Sequence, residues 1–346
     1  MKRKSIQNIC VIFLLVLGAT VTQAEAADFT VGVGGGENYT FIQEAVNNAQ
    51  NGDTIIVSPG IYIENVNVTK EVTIVSKTDI SGDRTNRTYV IGAVPSNDVF
   101  SIKSNNVKIT GFHIMGGPSG IDAYQEVGLL LEGVQNCTLS NNTLMLNDVG
   151  IGLNNSQRNF LDNNKITLGS AGIILSGSNE NKLSNNLVEA NDEGIRLDNS
   201  TNNTLMNNTA ESNDVGIRLA TSKTNRLADN SISRNSYGVV FENMAESNVL
   251  TNNSLYMNGL GMYLGGPTGN NISLNKFFNF INAVDEGTNS WNSSSAGNKW
   301  NDYNGTDADG NGIGDTPYVV NQTTGSIDYM PLANNVSSGD QQSGNQ

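Results

Sequence analysis

The feature that most constrains this chain is a period of 22 residues. A glycine opens a strand-like tetrad in each repeat (GLLL, GIGL, GIIL, GIRL, GIRL, GVVF, GMYL), at Gly128, Gly150, Gly172, Gly194, Gly216, Gly238 and Gly261. An aliphatic column keeps the same spacing at Leu139, Leu161, Leu183, Leu205, Leu227, Leu250 and Ile272. Both columns lengthen by one residue in the same repeat. Two independent columns that share one insertion indicate a structural repeat.

Short apolar runs bounded by glycine and asparagine, with alternation inside them, predict strands rather than helices. About three such runs in each unit are typical of one coil of an all-β, right-handed, single-stranded parallel β-helix. Stacked coils in such a solenoid lie about 4.8 Å apart and bury each other's apolar faces. We expect about nine or ten coils. Ile195 and Leu197 should point inward, and Arg196 should face solvent, as should Arg218 one coil later.

Asparagine, which occurs 54 times, forms three further columns. Their members are Asn159, Asn181, Asn203, Asn225, Asn248 and Asn270; Asn142, Asn164, Asn186, Asn208, Asn230, Asn253 and Asn275; and Asn147, Asn191, Asn213, Asn235 and Asn258. Stacked asparagine side chains can hydrogen-bond from coil to coil, and asparagine tolerates the left-handed backbone of sharp corners. The asparagine content is therefore predicted to be mainly structural.

The chain divides into five predicted segments. Residues 1–26 resemble a signal peptide, with a basic start, a short apolar run and a small-x-small cleavage site. Residues 27–70 form an N-terminal cap and the first strands, and 71–286 form the β-helix coils. Residues 287–332 form a C-terminal cap, and 333–346 form a disordered tail.

Two details refine these segments. Thr40 and Gln43 match a capping box that opens a helix through about Asn48, with apolar residues on one face to cover the first coil. Val107 and Ile109 resemble the Leu139 region but lie 30 residues before it, rather than 22. The difference predicts an inserted loop of about eight residues beginning near Gly116.

The signal sequence predicts export, to the extracellular space or cell surface, or to the periplasm in a Gram-negative host. We expect no stable membrane anchor after cleavage. Cys137 is then the single cysteine of the mature chain, so an intrachain disulfide is excluded. The oligomeric state is open.

The charge balance is acidic, with 19 Lys and Arg against 33 Asp and Glu and a net charge of −14. This sign argues against nucleic acid as a partner. It leaves metal cations, cell-surface glycans and polysaccharides as partners. The chain also has 15 Asn-x-Ser/Thr sequons, which make glycosylation plausible. We expect sequons inside packed ladders, such as that of Asn207, to be poor acceptors.

The cap and first strands (YTFIQEAVNNAQNGDTIIVSPGIYIENV, 39–66) resemble the N-terminus of pectin-lyase-like β-helix proteins. The NN-x-L…GIxL coils are similar to the carbohydrate-binding and sugar-hydrolase (CASH) repeats of NosD-like proteins. The end (GNKWNDYNGTDADGNGIGDTPYVV, 297–320, then IDYMPL) is similar to that of archaeal NosD-like surface proteins. The resemblance implies a secreted surface protein of uncertain activity, with copper supply as the role associated with NosD itself.

The segment 307–315 (DADGNGIGD) has oxygen-bearing side chains at the spacing of a calcium loop. The predicted calcium ligands are the side chains of Asp307, Asp309, Asn311 and Asp315 and the carbonyl of Ile313. Tyr318 replaces the bidentate glutamate of an EF-hand, so another carboxylate such as Asp302 or Asp328 would complete the shell. We expect this structural Ca²⁺ to stiffen the C-terminal cap.

An outward patch on consecutive coils carries the candidate catalytic residues, Arg196, Asp198, Arg218 and Glu242. A lyase needs a base and cations to hold a carboxylate, and a hydrolase needs two carboxylates across the scissile bond. The same patch, with Arg196, Arg218 and Tyr263, suits carbohydrate binding, and Val240 should continue its apolar surface. The alternative is a solvated face in which arginine and acidic residues neutralise each other.

Copper ligands are sparse. His113 is the single histidine, and Met115 lies on the same side of the strand, which makes this pair the copper candidate. Without a histidine cluster, we expect no dedicated copper site.

Three functions remain open. The first is a non-catalytic secreted protein that binds polysaccharide, with structural calcium. The second is a polysaccharide lyase or glycoside hydrolase that uses the outward patch. The third is a NosD-type copper-handling accessory protein. Whether the protein is an enzyme is undecided, and the sequence favours the non-catalytic function.

Overall fold

The computed structural model describes residues 26–77, 86–116 and 126–334, which form a parallel β-solenoid. The strands are numbered in chain order, and each regular coil adds one strand to each of three parallel sheets. Residues 1–25 of the predicted signal peptide, most of the inserted loop (117–125) and most of the tail (335–346) lie outside the described residues. The boundaries of the five segments given above stay predictions.

Sheet A has 12 strands in the described part of the chain. They are β1 (Asp28–Val31), β2 (Thr54–Val57), β5 (Thr73–Ser76), β8 (Lys108–Thr110), β11 (Thr138–Ser140), β14 (Phe160–Asp162), β17 (Lys182–Ser184), β20 (Thr204–Met206), β23 (Arg226–Ala228), β26 (Val249–Thr251), β29 (Thr268–Ser273) and β32 (Thr288–Ser290).

Sheet B follows sheet A after a two-residue corner in the regular coils. It consists of β3 (Gly60–Ile63), β6 (Thr88–Ile91), β9 (His113–Met115), β12 (Thr143–Met145), β15 (Lys165–Thr167), β18 (Leu187–Glu189), β21 (Thr209–Glu211), β24 (Ser231–Ser233), β27 (Ser254–Tyr256), β30 (Lys276–Phe278) and β33 (Lys299–Trp300).

Sheet C has the longest regular strands. It consists of β4 (Val66–Val68), β7 (Phe100–Ile102), β10 (Val127–Glu132), β13 (Val149–Asn154), β16 (Ala171–Ser176), β19 (Glu193–Asp198), β22 (Val215–Ala220), β25 (Tyr237–Glu242), β28 (Leu260–Gly265) and β31 (Ile281–Asp285). A separate antiparallel hairpin, β34 (Tyr318–Asn321) and β35 (Ser326–Asp328), and helix α1 (Ile42–Asn48) complete the described elements.

The strand register confirms the sequence period. Leu139 pairs with Leu161 on one side and, across the 30-residue step, with Ile109 on the other. Ile195 and Leu197 are fully buried, as the alternation predicted. The solenoid makes about 12 turns, more than the nine or ten expected. The expected number was too low because irregular coils at the two ends also add strands to the sheets.

The glycine column is required by the close approach of neighbouring coils. A Cβ built on Gly216 would lie 2.6 Å from the carbonyl oxygen of Gly238 in the next coil. Real Cβ atoms do not approach backbone oxygen so closely. A side chain here would force the coils apart, which explains why glycine recurs at this position.

The asparagine columns are buried hydrogen-bonded ladders. Asn208 is typical: its Nδ2 donates to Leu183 O at 3.0 Å and to Asn230 Oδ1 at 3.1 Å, and its Oδ1 accepts from the backbone N–H of Asn186. The ladder residues themselves are not left-handed. The residue before each of them is, as at Asn207 with φ 55°. The sequence analysis assigned the ladder hydrogen bonds and the left-handed corner to the same asparagine. In the structure, two adjacent residues divide these roles.

A buried serine ladder, which the sequence analysis did not predict, keeps the same 22-residue spacing. Ser156, Ser178, Ser200 and Ser222 are fully buried. The Oγ of Ser178 donates to Leu153 O and accepts from the backbone N–H of Ser156 at 3.0 Å. Serine therefore does just after sheet C what asparagine does just before each of the three sheets.

Helix α1 lies against the first coils, and Ile42, Val46 and Ala49 are buried in the core. The predicted capping box of Thr40 and Gln43 does not form. The N-cap residue is Phe41 instead, and its side chain makes no capping hydrogen bond. Instead, the Glu64 carboxylate accepts from the backbone N–H groups of Ile42 and Gln43, both at 2.9 Å. Glu64 is 22 residues from Ile42, so a long-range contact supplies the cap.

At the other end, aromatic rings extend the apolar core. Trp300 stacks on Phe277 at 4.4 Å and on Tyr318 at 4.2 Å, both at 11°.

Within residues 26–77, 86–116 and 126–334, no helix has the length and apolar character needed to cross a membrane. The cap roles of both ends stay predictions.

Candidate functional site

The candidate site is the outer face of sheet C on strands β19 and β22. Arg196 and Arg218 are in-register neighbours one coil apart, and both side chains are partly exposed. This placement confirms that they point outward. Arg196 Nε lies 2.7 Å from Asp198 Oδ2, which places Asp198 on the same face.

A glutamate that the sequence reasoning did not single out joins the two arginines. Glu193 Oε1 lies 2.6 Å from Arg218 Nη1, and Glu193 Oε2 lies 3.3 Å from Arg196 Nη1. On the other side, Arg218 Nη2 lies 2.6 Å from Glu242 Oε2. The signal for Glu193 was its position directly before the glycine of its tetrad.

The network favours the charged form of the Arg218 guanidinium. The hydrogen bond to Glu242, with further help from Glu193, raises the pKa of the Arg218 guanidinium above its ordinary value. Each of the three carboxylates contacts at least one guanidinium. The face therefore presents fixed hydrogen-bonding groups, and neither Asp198 nor Glu242 stands apart as a separate acid or base.

Tyr263 continues the arginine column two coils after Arg218 and is held by a second missed glutamate. Its hydroxyl donates to Glu286 Oε2 at 3.1 Å, and this bond raises the pKa of Tyr263 above its ordinary value. Val240, between Arg218 and Tyr263, is 5 % exposed. The expectation that Val240 offers apolar surface was wrong, since it lies between these two larger side chains in its column.

The predicted calcium loop, 307–315, folds on itself through its carboxylates. Asp307 accepts from the backbone N–H groups of Asn311 and Gly312, both at 3.0 Å, and Asp315 accepts from Ala308 N and Thr306 Oγ1. Asp309 accepts from Asn311. The oxygen donors suit Ca²⁺ chemically. The described residues nevertheless bring no three His, Cys, Asp or Glu side chains into one metal-holding group.

The two carboxylates expected to complete the calcium shell have other partners. Asp328 is fully buried and accepts from Trp300, Asn298 and Met330. Asp302 accepts from Asn282 and from the Tyr318 hydroxyl. These contacts direct both carboxylates to the end of the solenoid.

The copper candidates lie on the outer face of sheet B. The half-buried His113 ring lies 5.1 Å from the Tyr89 ring, and burial, with the charge of Arg87, lowers the pKa of His113. Met115 pairs in register with Met145 of the next coil. Cys137 is buried, and burial raises the pKa of its thiol to about 11. The imidazole of His113 and the thioethers of Met115 and Met145 thus lie on one face, whereas the thiol of Cys137 faces the core and does not join them. The absence of a dedicated copper site stays a prediction.

The structure also corrects the assignment of Asn207 to a packed ladder. Its side chain is exposed at a corner, and the ladder residue is the following Asn208.

The fold and the outer face of sheet C define a parallel β-helix protein whose outer surface carries a row of ion pairs followed by an aromatic side chain, Tyr263. The family model described as "Periplasmic copper-binding protein (NosD)" matches residues 46–236 and 219–305. Because these matches cover most of its length, the chain belongs to the NosD family.

A curated relative is a cell surface glycoprotein of Methanothermus fervidus, 38 % identical over 111 residues. The match covers 31 % of this chain and 16 % of the relative. The relative is named for the cell surface and the family is described as periplasmic, so both descriptions refer to exported proteins.

Solved structures share the fold at low identity. The Dettilon tailspike protein matches with a TM-score of 0.58 and 13 % identity, over 72 % of this chain and 56 % of the tailspike. Pectate lyase Pel9A matches with a TM-score of 0.51 and 14 % identity, over 79 % and 82 %. The DFA-IIIase of Arthrobacter chlorophenolicus A6 matches with a TM-score of 0.53 and 13 % identity, over 79 % and 76 %. At these identities the likeness shows the fold alone.

Proposed function

We propose that the mature protein is exported to the cell surface and binds polysaccharide on the outer face of sheet C without cleaving it. The observation that carries this proposal is the ion-paired row of Arg196 and Arg218 with Glu193 and Glu242. Guanidinium and carboxylate groups held in fixed positions can hydrogen-bond sugar hydroxyls with little ordering cost. Tyr263 extends the row with an aromatic ring.

The surface location is supported by the signal-like start of the chain and by the name of the curated relative. The fold neighbours include a pectate lyase, so cleavage by a polysaccharide lyase or glycoside hydrolase is the alternative to exclude. A hydrolase needs two carboxyl groups placed across the scissile bond. Here each carboxylate of the row contacts a guanidinium, which favours binding over hydrolysis.

The test incubates residues 27–346 with a polysaccharide panel, in the presence of Ca²⁺, and measures both retention and new chain ends. We expect retention of at least one glycan, no new ends, and weaker retention by Arg218→Ala. Arg226→Ala, an exposed arginine on sheet A, is the matched control. New ends that disappear in Arg218→Ala would establish an enzyme instead. Retention of no glycan would overturn the proposal.

We also propose that the loop 307–315 binds Ca²⁺ and stiffens the C-terminal end. Asp307, Asp309, Asn311 and Asp315 supply side-chain oxygens, and Ile313 supplies a carbonyl. The proposal rests on the donor types and their spacing, and binding would have to release some of the hydrogen bonds that now close the loop.

A further inference from the structure

A second outward surface lies on sheet B near the C-terminal end of the solenoid. Tyr256 of β27 and Phe278 of β30 are in-register neighbours, and their rings stack at 5.1 Å and 29°. They are 42 % and 52 % exposed. Phe280, two residues after Phe278, is 91 % exposed. We call Tyr256, Phe278 and Phe280 the aromatic platform.

The aromatic platform borders two clefts. A cleft of about 430 Å³ is lined by Tyr256, Phe278, Lys276, Lys299 and Asn334, among others. A cleft of about 500 Å³ is lined by Phe278, Phe280, Met257 and Arg234. Clustered exposed aromatic residues with a polar rim are typical of a binding surface rather than of ordinary exposed side chains.

Two lysines give the first cleft its charge. Lys276 and Lys299 are exposed in-register neighbours on adjacent strands, beside the aromatic platform. In the described part of the chain, neither has a carboxylate within ion-pair distance, unlike Arg196 and Arg218. Their charges remain available to an anionic ligand.

We infer that the aromatic platform binds an acidic, uronate-bearing polysaccharide. Sugar rings would lie on Tyr256 and Phe278, and sugar carboxylates would contact Lys276 and Lys299. This inference rests on the proposed polysaccharide binding and adds a substrate class and a second face.

The charge distribution selects this occupant over a second copy of the chain. The chain carries a net charge of −14, so two copies repel each other, and a two-fold contact at this surface would bring the lysine pairs together. A polyanion is repelled by most of the molecule but is attracted by this local pair.

The test uses residues 27–346, with polygalacturonate and its carboxyl-reduced, neutral counterpart as probes. Tyr256→Ala combined with Phe278→Ala should weaken polygalacturonate binding about tenfold. Lys276→Gln combined with Lys299→Gln should also weaken it about tenfold, and should remove the preference for polygalacturonate and most of the salt dependence. Lys182→Gln, an exposed lysine on sheet A, is the matched control. Circular dichroism checks that each variant folds.

Different failures have different meanings. If the wild type binds no glycan at all, the proposed function and this inference both fall. If it binds only neutral glycans, or loses polygalacturonate in Arg218→Ala but not in the platform and lysine variants, the inference falls and the proposed function stands. A dimer in light scattering that Phe278→Ala dissociates, with unchanged polygalacturonate affinity, would show that a second copy occupies the platform and would overturn the inference.

Discussion

The indole N–H of Trp300 donates a 2.9 Å hydrogen bond to Oδ2 of Asp328, and both side chains are fully buried. Trp300 belongs to the last strand of sheet B, and Asp328 ends the hairpin β34–β35. Trp291 makes the same kind of bond to Asp285 Oδ2 at 2.8 Å. Both tryptophans of the chain thus use a buried carboxylate to hold the end of the solenoid together.

Asp328→Ala should lower the free energy of unfolding by about 3 kcal/mol, because it leaves several buried N–H donors without their acceptor. These donors are Trp300 Nε1 and the backbone N–H groups of Asn298 and Met330. Urea unfolding followed by tryptophan fluorescence measures the loss. Asp192→Ala, at an exposed corner, is the control and should change stability little. Equal stability of the two variants would contradict the role of Asp328.

The adjacent residues Asn207 and Asn208 allow a matched comparison. Asn208→Ala should cost about 3 kcal/mol, because it interrupts a buried ladder and leaves Leu183 O and the N–H of Asn186 unsatisfied. Asn207→Gly should stay within about 0.5 kcal/mol, because glycine adopts the φ of 55° found there. Denaturant midpoints compare the two. A larger loss for Asn207→Gly would show that the ladder is not the stabilising element.

The single histidine provides a pH test. Burial lowers the pKa of His113, with Arg87 adding repulsion, so the folded protein should show an NMR titration midpoint below the ordinary 6.5. The unfolded chain then takes up the proton more readily, so His113 should cost stability as the pH falls below 6.5. His113→Gln should lose less stability over this range, and Arg87→Gln should raise the midpoint. A wild-type midpoint above 6.5 would contradict the burial effect.

Calcium binding to the loop 307–315 should raise the thermal unfolding midpoint above the midpoint measured in the presence of chelator. At a Ca²⁺ concentration 100 times the dissociation constant, the gain is about 2.7 kcal/mol if the unfolded chain binds none. Asp307→Ala should abolish the shift, and Asp192→Ala should retain it. Differential scanning calorimetry with and without chelator makes the measurement. Unchanged midpoints on chelation and on calcium addition would refute the structural calcium proposal.

The sequence period by itself determined which residues stack. Once glycine and leucine recur every 22 residues, burial of the alternating residues can be satisfied only in one register, so Ile195 and Leu197 had to face inward. The same argument placed Arg196 beside Arg218 and Asp198 on their face.

Only the tertiary structure decided which polar groups meet. Glu193 reaches Arg218 across a coil, 25 residues away, and Glu64 replaces the predicted capping box of helix α1 from 22 residues away. Tyr256, Phe278 and Lys276 likewise form one surface because coils stack. Periodicity specifies positions in a column, whereas side-chain reach and competition among partners specify the contacts. Those depend on packing that no local pattern encodes.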